Sequence, residues 1–117
     1  MTTKLYGIKS CDTVRKARKW LDAAGVHYDY VDLREDPVSQ QTLRSWLKVV
    51  GNEDLVNRRS TTWKGLSDAE RNQASGVQAA ALLAMHPTLI KRPLLEHDGK
   101  TLVGFDDARY QTEFNVS

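Results

Sequence analysis

Apolar positions switch period twice within the first third of the chain. The segment from Lys4 to Ile8 is short, apolar and β-prone, and it runs through Ser10, Cys11, Asp12 and Thr13 into a stretch where Val14, Ala17, Leu21 and Ala24 recur at helical spacing. This pattern predicts a strand, a turn and a helix. Gly25 stands where a helix closes on a left-handed residue, and Val26 to Leu33 follows with aromatic and β-branched side chains suited to a second strand. The opening therefore reads as a βαβ unit. After Pro37, Ser39 is placed to cap a helix carrying Leu43, Trp46, Leu47 and Val50 on one stripe, and Gly51 ends it.

Periodicity fades between Asn52 and Lys64, so that stretch is expected to be partly irregular. Two capping-box signatures follow, Ser67 with Glu70 and Ser75 with Gln78, each predicting a short helix, and His86 with Pro87 limits the second. Strand character returns at Pro93. Leu94, Leu95 and Glu96 face Thr101, Leu102 and Val103 across Asp98 and Gly99, a favoured hairpin pair, and Asp106 caps a last helix bearing Tyr110 and Phe114. The order β, α, β, α, helical insertion, β, β, α describes an open α/β domain with a mixed sheet.

Composition narrows the functional classes. A chain of 117 residues, 40% apolar, can bury one continuous core, so a single domain over residues 1–117 is expected. Seventeen basic against fifteen acidic side chains leave a net charge of +2, far short of the excess that phosphate-backbone binding shows, so nucleic acid is not an expected partner. Arg15, Lys16, Arg18 and Lys19 read as the solvated face of the first helix. The longest apolar run, Ala79 to Met85, is too short to span a bilayer, and Met1 to Lys4 lacks a signal-peptide apolar region, so a cytoplasmic, membrane-free protein is expected. His27, His86 and His97 are scattered in no metal-ligand spacing, and no metal site is expected. Trp46 follows the apolar stripe and reads as core, whereas Trp20 and Trp63 stay open. Asp106 and Asp107 read as acidic residues at a helix start.

The one cysteine is the candidate for chemistry. Alone in the chain, Cys11 has no partner for an internal disulfide or a CxxC pair, so any disulfide it forms must be intermolecular. Its place between a strand and a helix start exposes it to unpaired amides and the positive end of the helix dipole, and Arg15 and Lys16 add positive potential one turn on. Each of these favours the nucleophilic thiolate. A lone cysteine can equally be a small buried apolar group, but the strand-to-helix setting favours the reactive reading. A cysteine-based phosphatase loop is excluded, because the arginine it needs six residues on is Ala17.

The runs GIKSCDTVRKARKWL (Gly7 to Leu21), RSTTW (Arg59 to Trp63) and KRPLL (Lys91 to Leu95) resemble the arsenate reductase (ArsC) and Spx family, most of all its YffB-type branch. The resemblance runs over nearly the whole chain in order and spacing. It implies a thioredoxin-like fold, with a mixed four-stranded sheet flanked by helices and a helical subdomain inserted over about residues 39–90. It also implies a nucleophile at Cys11 and a proline, typically cis, at Pro93, whose backbone would lie beside the thiolate and hold an incoming extended thiol ligand.

Two of the three arginines that surround the cysteine in the family's arsenate reductases have counterparts, Arg59 and Arg92. The third position falls at about Gly104, which removes one charge-assisted partner for an anionic intermediate and points away from arsenate as the substrate. The second cysteine of the Spx switch would fall at Val14. The expectation is then a monomeric thiol reductase without bound cofactor, whose oxidised cysteine, alone in the chain, is resolved by an outside thiol, glutathione being the abundant candidate co-substrate. Arg59 and Arg92, with Lys9, would meet its carboxylates, and Thr13 and Arg15 would assist near the helix start. The alternative is an Spx-like regulator that binds RNA polymerase without turnover, with Gly51 at the contact surface. A helix-ending glycine accounts for Gly51 equally well.

Overall fold

The structure, a computed structural model, describes residues 3–115. In chain order the elements are β1 (Thr3–Gly7), α1 (Asp12–Ala23), β2 (Asp29–Asp32), α2 (Gln40–Val50), α3 (Asn52–Leu55), α4 (Thr61–Lys64), α5 (Asp68–Gln73) and α6 (Ala79–Met85). A 3-10 turn at Pro87–Leu89 follows, then β3 (Leu94–His97), β4 (Lys100–Val103) and α7 (Asp107–Phe114). They divide into two compact units, one built from the chain up to Asp32 and from Arg92 onward, the other from Leu33–Lys91.

The first unit is a four-stranded mixed sheet in the order β2-β1-β3-β4, the thioredoxin-like arrangement that the sequence resemblance implied. Strand β1 pairs parallel with β2, Gly7 standing opposite Asp32, and antiparallel with β3, Tyr6 standing opposite Leu94. The β3–β4 hairpin turns through Asp98 and Gly99 at φ 53° and 77°, the two left-handed residues that a tight type I′ connection requires. Leu5 and Leu95 of the sheet, Ala17 and Leu21 of α1 and Tyr110 of α7 form a fully buried core. The stripe read at Val14, Ala17 and Leu21 is the buried face of α1.

Helix α1 ends as the sequence predicts. The Gly25 amide donates to the Asp22 carbonyl at 3.2 Å and the Val26 amide to the Leu21 carbonyl at 3.0 Å, a Schellman closure made possible by Gly25 at φ 73°. Strand β2 is shorter than the expected Val26 to Leu33. Val26 and Tyr28 pack against the core without entering the ladder, and only four residues pair with β1.

The second unit is helical. Ser39 accepts the Thr42 amide at 3.1 Å to start α2, and Gly51 at φ 93° stops it. Leu43 and Trp46 of α2 are buried, as are Leu82 and Leu83 of α6. Between Asn52 and Lys64 the expected irregular segment contains two one-turn helices, too short to display a period. They are held from outside, by Lys91 donating to the Leu55 carbonyl at 2.8 Å and by Ser60 accepting the Trp63 amide at 3.1 Å. The Ser67–Glu70 capping box forms in full. The Ser75–Gln78 box does not, because the Ser75 amide is spent on the Asn72 carbonyl in the turn that closes α5, and α6 starts later, at Ala79, with no side-chain cap.

Candidate functional site

Glycine begins the site. A Cβ on Gly7 would lie 2.6 Å from Val14 Cγ1 and 2.7 Å from Cγ2, so the last residue of β1 must be glycine for α1 to cross it this closely. The chain then turns through Ile8, Lys9, Ser10 and Cys11, closed by the Cys11 amide donating to the Ile8 carbonyl at 3.0 Å. Cys11 becomes the N-cap of α1, with extended φ −86° and ψ 121°, and no side chain takes up the first-turn amides. The thiol is half-buried and stands at the positive end of the helix, although its sulfur accepts none of the first-turn amides.

Sheet register gathers further groups at the same end of the first unit. Parallel pairing carries β2 to its end at Asp32 beside Gly7, and antiparallel pairing starts β3 next to where β1 finishes. Arg92 and Pro93 precede β3 directly, and the peptide bond between them is cis, as the resemblance implied. Pro93 is buried and Arg92 half-buried. The end of β4 arrives there as well, where the Gly104 amide donates to the Pro93 carbonyl at 2.8 Å.

The remaining candidates are placed differently. Thr13 is exposed in the first turn of α1. Arg15 is exposed too, and its guanidinium is engaged by the Asp12 carboxylate. Arg59 belongs to the second unit, exposed on the turn before α4, and lines an open cleft with Glu53, Val56, Asn57, Arg58 and Lys91.

Several basic and aromatic residues turn out to be structural. The Arg18 guanidinium lies 4.1 Å from the centroid of the Tyr30 ring, and its bond to the Tyr28 hydroxyl is the main cause that holds its pKa above the ordinary arginine value. Arg58 and Arg71 stand over Trp63 at 5.5 and 5.8 Å. Trp20 packs edge-on to Tyr110 at 5.5 Å and donates Nε1–H to Asp107 at 2.9 Å, while the adjacent Asp106 accepts the Arg109 amide as the cap of α7. Among the described residues no group of three or more His, Cys, Asp or Glu side chains is placed to hold a metal ion, and no helix is long and apolar enough to cross a membrane.

Residues 6–113 match the ArsC family. The chain belongs to that family. An uncharacterized protein of Haemophilus influenzae is 43% identical over 110 residues, covering 94% of this chain and 96% of its own length. A global transcriptional regulator Spx of Streptococcus pyogenes is 32% identical over 106 residues, covering 88% and 78%. Among solved structures, a protein described as YffB superposes with a TM-score of 0.90 at 40% identity, covering 95% and 97% of the two chains, which groups this ArsC member with the YffB-type branch. A possible arsenate reductase from Streptococcus mutans superposes with a TM-score of 0.82 at 29% identity, covering 97% and 98%.

One residue of this ArsC chain escaped the sequence reading. Asp32, only 7% exposed at the end of β2, accepts the Lys9 amide at 3.1 Å through Oδ2. No local pattern marked it, because the other three residues of β2 are exposed or half-buried and Asp32 alone is buried there.

Proposed function

We propose that the chain is a glutathione-dependent thiol reductase whose nucleophile is Cys11. The observation that carries this reading is the pairing of a half-buried cysteine at the N-cap of α1 with a fully buried valine, Val14, at the place of a second cysteine. With no internal thiol to resolve it, an oxidised Cys11 depends on a thiol from solution. The Cys11 thiolate attacks one sulfur of a substrate disulfide, forming a mixed disulfide and releasing the other sulfur as a thiolate. A glutathione thiolate next attacks the substrate sulfur or Cys11, and a second glutathione completes the exchange. The products are two substrate thiols, oxidised glutathione and free Cys11, so both electrons come from two glutathione molecules. Arg92 beside Pro93, with Thr13 and, once exchanged from Asp12, Arg15, are the groups assigned to the anionic tripeptide. Arg59, with Arg58 and Lys91 around one cleft of the second unit, is a separate anion-binding candidate.

Intact-mass spectrometry after exposure to oxidised glutathione tests the proposal, with Cys11→Ser as control. A glutathione adduct on the wild type alone, removed by reduced glutathione and accompanied by turnover of a model disulfide, is the expected result. An unmodified wild-type protein overturns it.

A second reading, a regulator that contacts RNA polymerase, is favoured by the relatives named global transcriptional regulator Spx. Against it, Gly51 is accounted for by its backbone at φ 93°, and Val14 removes the second cysteine of the Spx switch. Capture of polymerase subunits that persists in Cys11→Ser would favour this reading over the reductase.

A further inference from the structure

A buried carboxylate needs partners, and the one at the end of β2 finds one in the turn that carries the thiol. Aspartate is almost never fully buried unless paired, because an ionised carboxylate away from water is costly without hydrogen-bond donors. Asp32 is 7% exposed, and register places it beside Gly7, the residue from which the Cys11 turn departs. Lys9, second residue of that turn, directs its amide to Asp32 Oδ2 at 3.1 Å. The internal Cys11–Ile8 bond at 3.0 Å and the external Lys9–Asp32 bond both hold the turn. Helix α1 begins at Asp12, directly after the turn, so whatever fixes the turn also fixes where the sulfur sits relative to the first-turn amides.

We propose that Asp32 is a positioning residue for Cys11, anchoring the Ile8–Cys11 turn through the Lys9 amide so that the thiol is held at the start of α1. This inference rests on the reading of Cys11 as the nucleophile. An acceptor oxygen is what the anchor requires. Asparagine retains one and alanine does not, and the two substitutions separate the anchor from the charge.

The experiment has two arms on the full chain. In the first, the Lys9 amide proton is followed by NMR in wild type and Asp32→Asn. Replacing a charged acceptor by a neutral one weakens the bond and moves that resonance upfield, with the amides of β1 unmoved. In the second, the rate of adduct formation by oxidised glutathione at Cys11 is measured. Asp32→Asn keeps the wild-type rate, while Asp32→Ala loses about ten-fold or more, the scale expected when a reacting atom is displaced by a fraction of an ångström. Should Asp32→Ala not fold, Asp32→Ser replaces it, its hydroxyl being one bond too short for the span. An unmoved Lys9 resonance in Asp32→Asn, or a wild-type rate in the variant lacking the acceptor, overturns the proposal. If wild-type Cys11 forms no adduct, the reductase reading fails, whereas the Lys9 resonance still decides whether Asp32 holds the turn.

Discussion

The amide of Gly104 donates to the carbonyl of Pro93 at 2.8 Å, tying the end of β4 to the proline that opens β3. Gly104 makes this bond at φ 82°, with nothing within 4 Å of where a Cβ would stand. Space is free there, but the backbone is left-handed, which costs an L-residue about 1–2 kcal/mol. The resemblance puts the third arginine of arsenate reductases at about this residue, where the left-handed backbone disfavours any side chain. Gly104→Ala and Gly104→Arg are both expected to lose about 1–2 kcal/mol in thermal or urea unfolding, and Gly104→Asn less. A neutral Gly104→Ala would show that the strand end accommodates an ordinary residue and that backbone strain is not what excludes arginine.

Val14 occupies the position of the missing second thiol, fully buried and in contact range of Gly7. Residues three apart on the first turn of a helix share a face, so Val14→Cys sets a second sulfur beside Cys11 in the CxxC spacing. Buried as Val14 is, that sulfur is shielded from thiols in solution. After oxidised glutathione, Val14→Cys is expected to show the intact mass of an internal disulfide, where the wild type carries a glutathione adduct. The smaller side chain costs about 1 kcal/mol of packing in the reduced state. Persistence of the adduct in Val14→Cys would mean that the two sulfurs do not meet.

Much of this architecture is legible in the sequence because local chemistry and tertiary packing agree. Gly25, Ser39, Ser67, the Asp98–Gly99 pair and Asp106 each sit at the element boundary that their turn or capping chemistry predicts. Failures fall where a signal is shared or too short. Ser75 carries the same letters as a true cap, but its amide already serves the end of α5, and α3 and α4 span one turn each. At the site, Cys11 and Pro93 are visible from motif and position. Asp32 is not, since burial at a strand end depends on the register with Gly7, which no local pattern encodes.

Glu70 links the capping box of α5 to acid stability. Its carboxyl is held below the ordinary glutamate value first by the Ser67 amide, then by the Ser67 hydroxyl, and more weakly by His86, whose Nε2 lies 3.8 Å from Oε2. A carboxyl depressed on folding stabilises the fold above its unfolded pKa and loses that contribution as pH falls through the folded one. Glutamine preserves the capping box without the charge. The melting temperature of Glu70→Gln is therefore expected to fall below wild type at neutral pH and to converge with it in acid, once pH has fallen through the lowered carboxyl value. Parallel melting curves across that range would exclude a contribution from the Glu70 charge.

Tyr110 carries a hydroxyl that the fold does not use. The side chain is fully buried, its ring edge-on to Phe105 at 4.8 Å and to Trp20 at 5.5 Å, and its oxygen has no hydrogen-bond partner among the described residues. Burial also pushes the phenol pKa well above the ordinary tyrosine value, so the group stays neutral throughout the working pH range. A buried hydroxyl without a partner costs about 1–3 kcal/mol of desolvation, whereas the ring supplies the packing. Tyr110→Phe keeps every ring contact and removes the oxygen. It is expected to match the wild type or exceed it by about 1 kcal/mol in urea unfolding, with an unchanged slope. Tyr110→Ala removes the ring as well and is expected to lose about 3–5 kcal/mol, because Leu5, Leu21 and Leu95 then border a cavity. A loss of about 1 kcal/mol or more in Tyr110→Phe would reveal that the hydroxyl is satisfied in solution, and the core of the first unit would then hold a polar contact that its packing does not display.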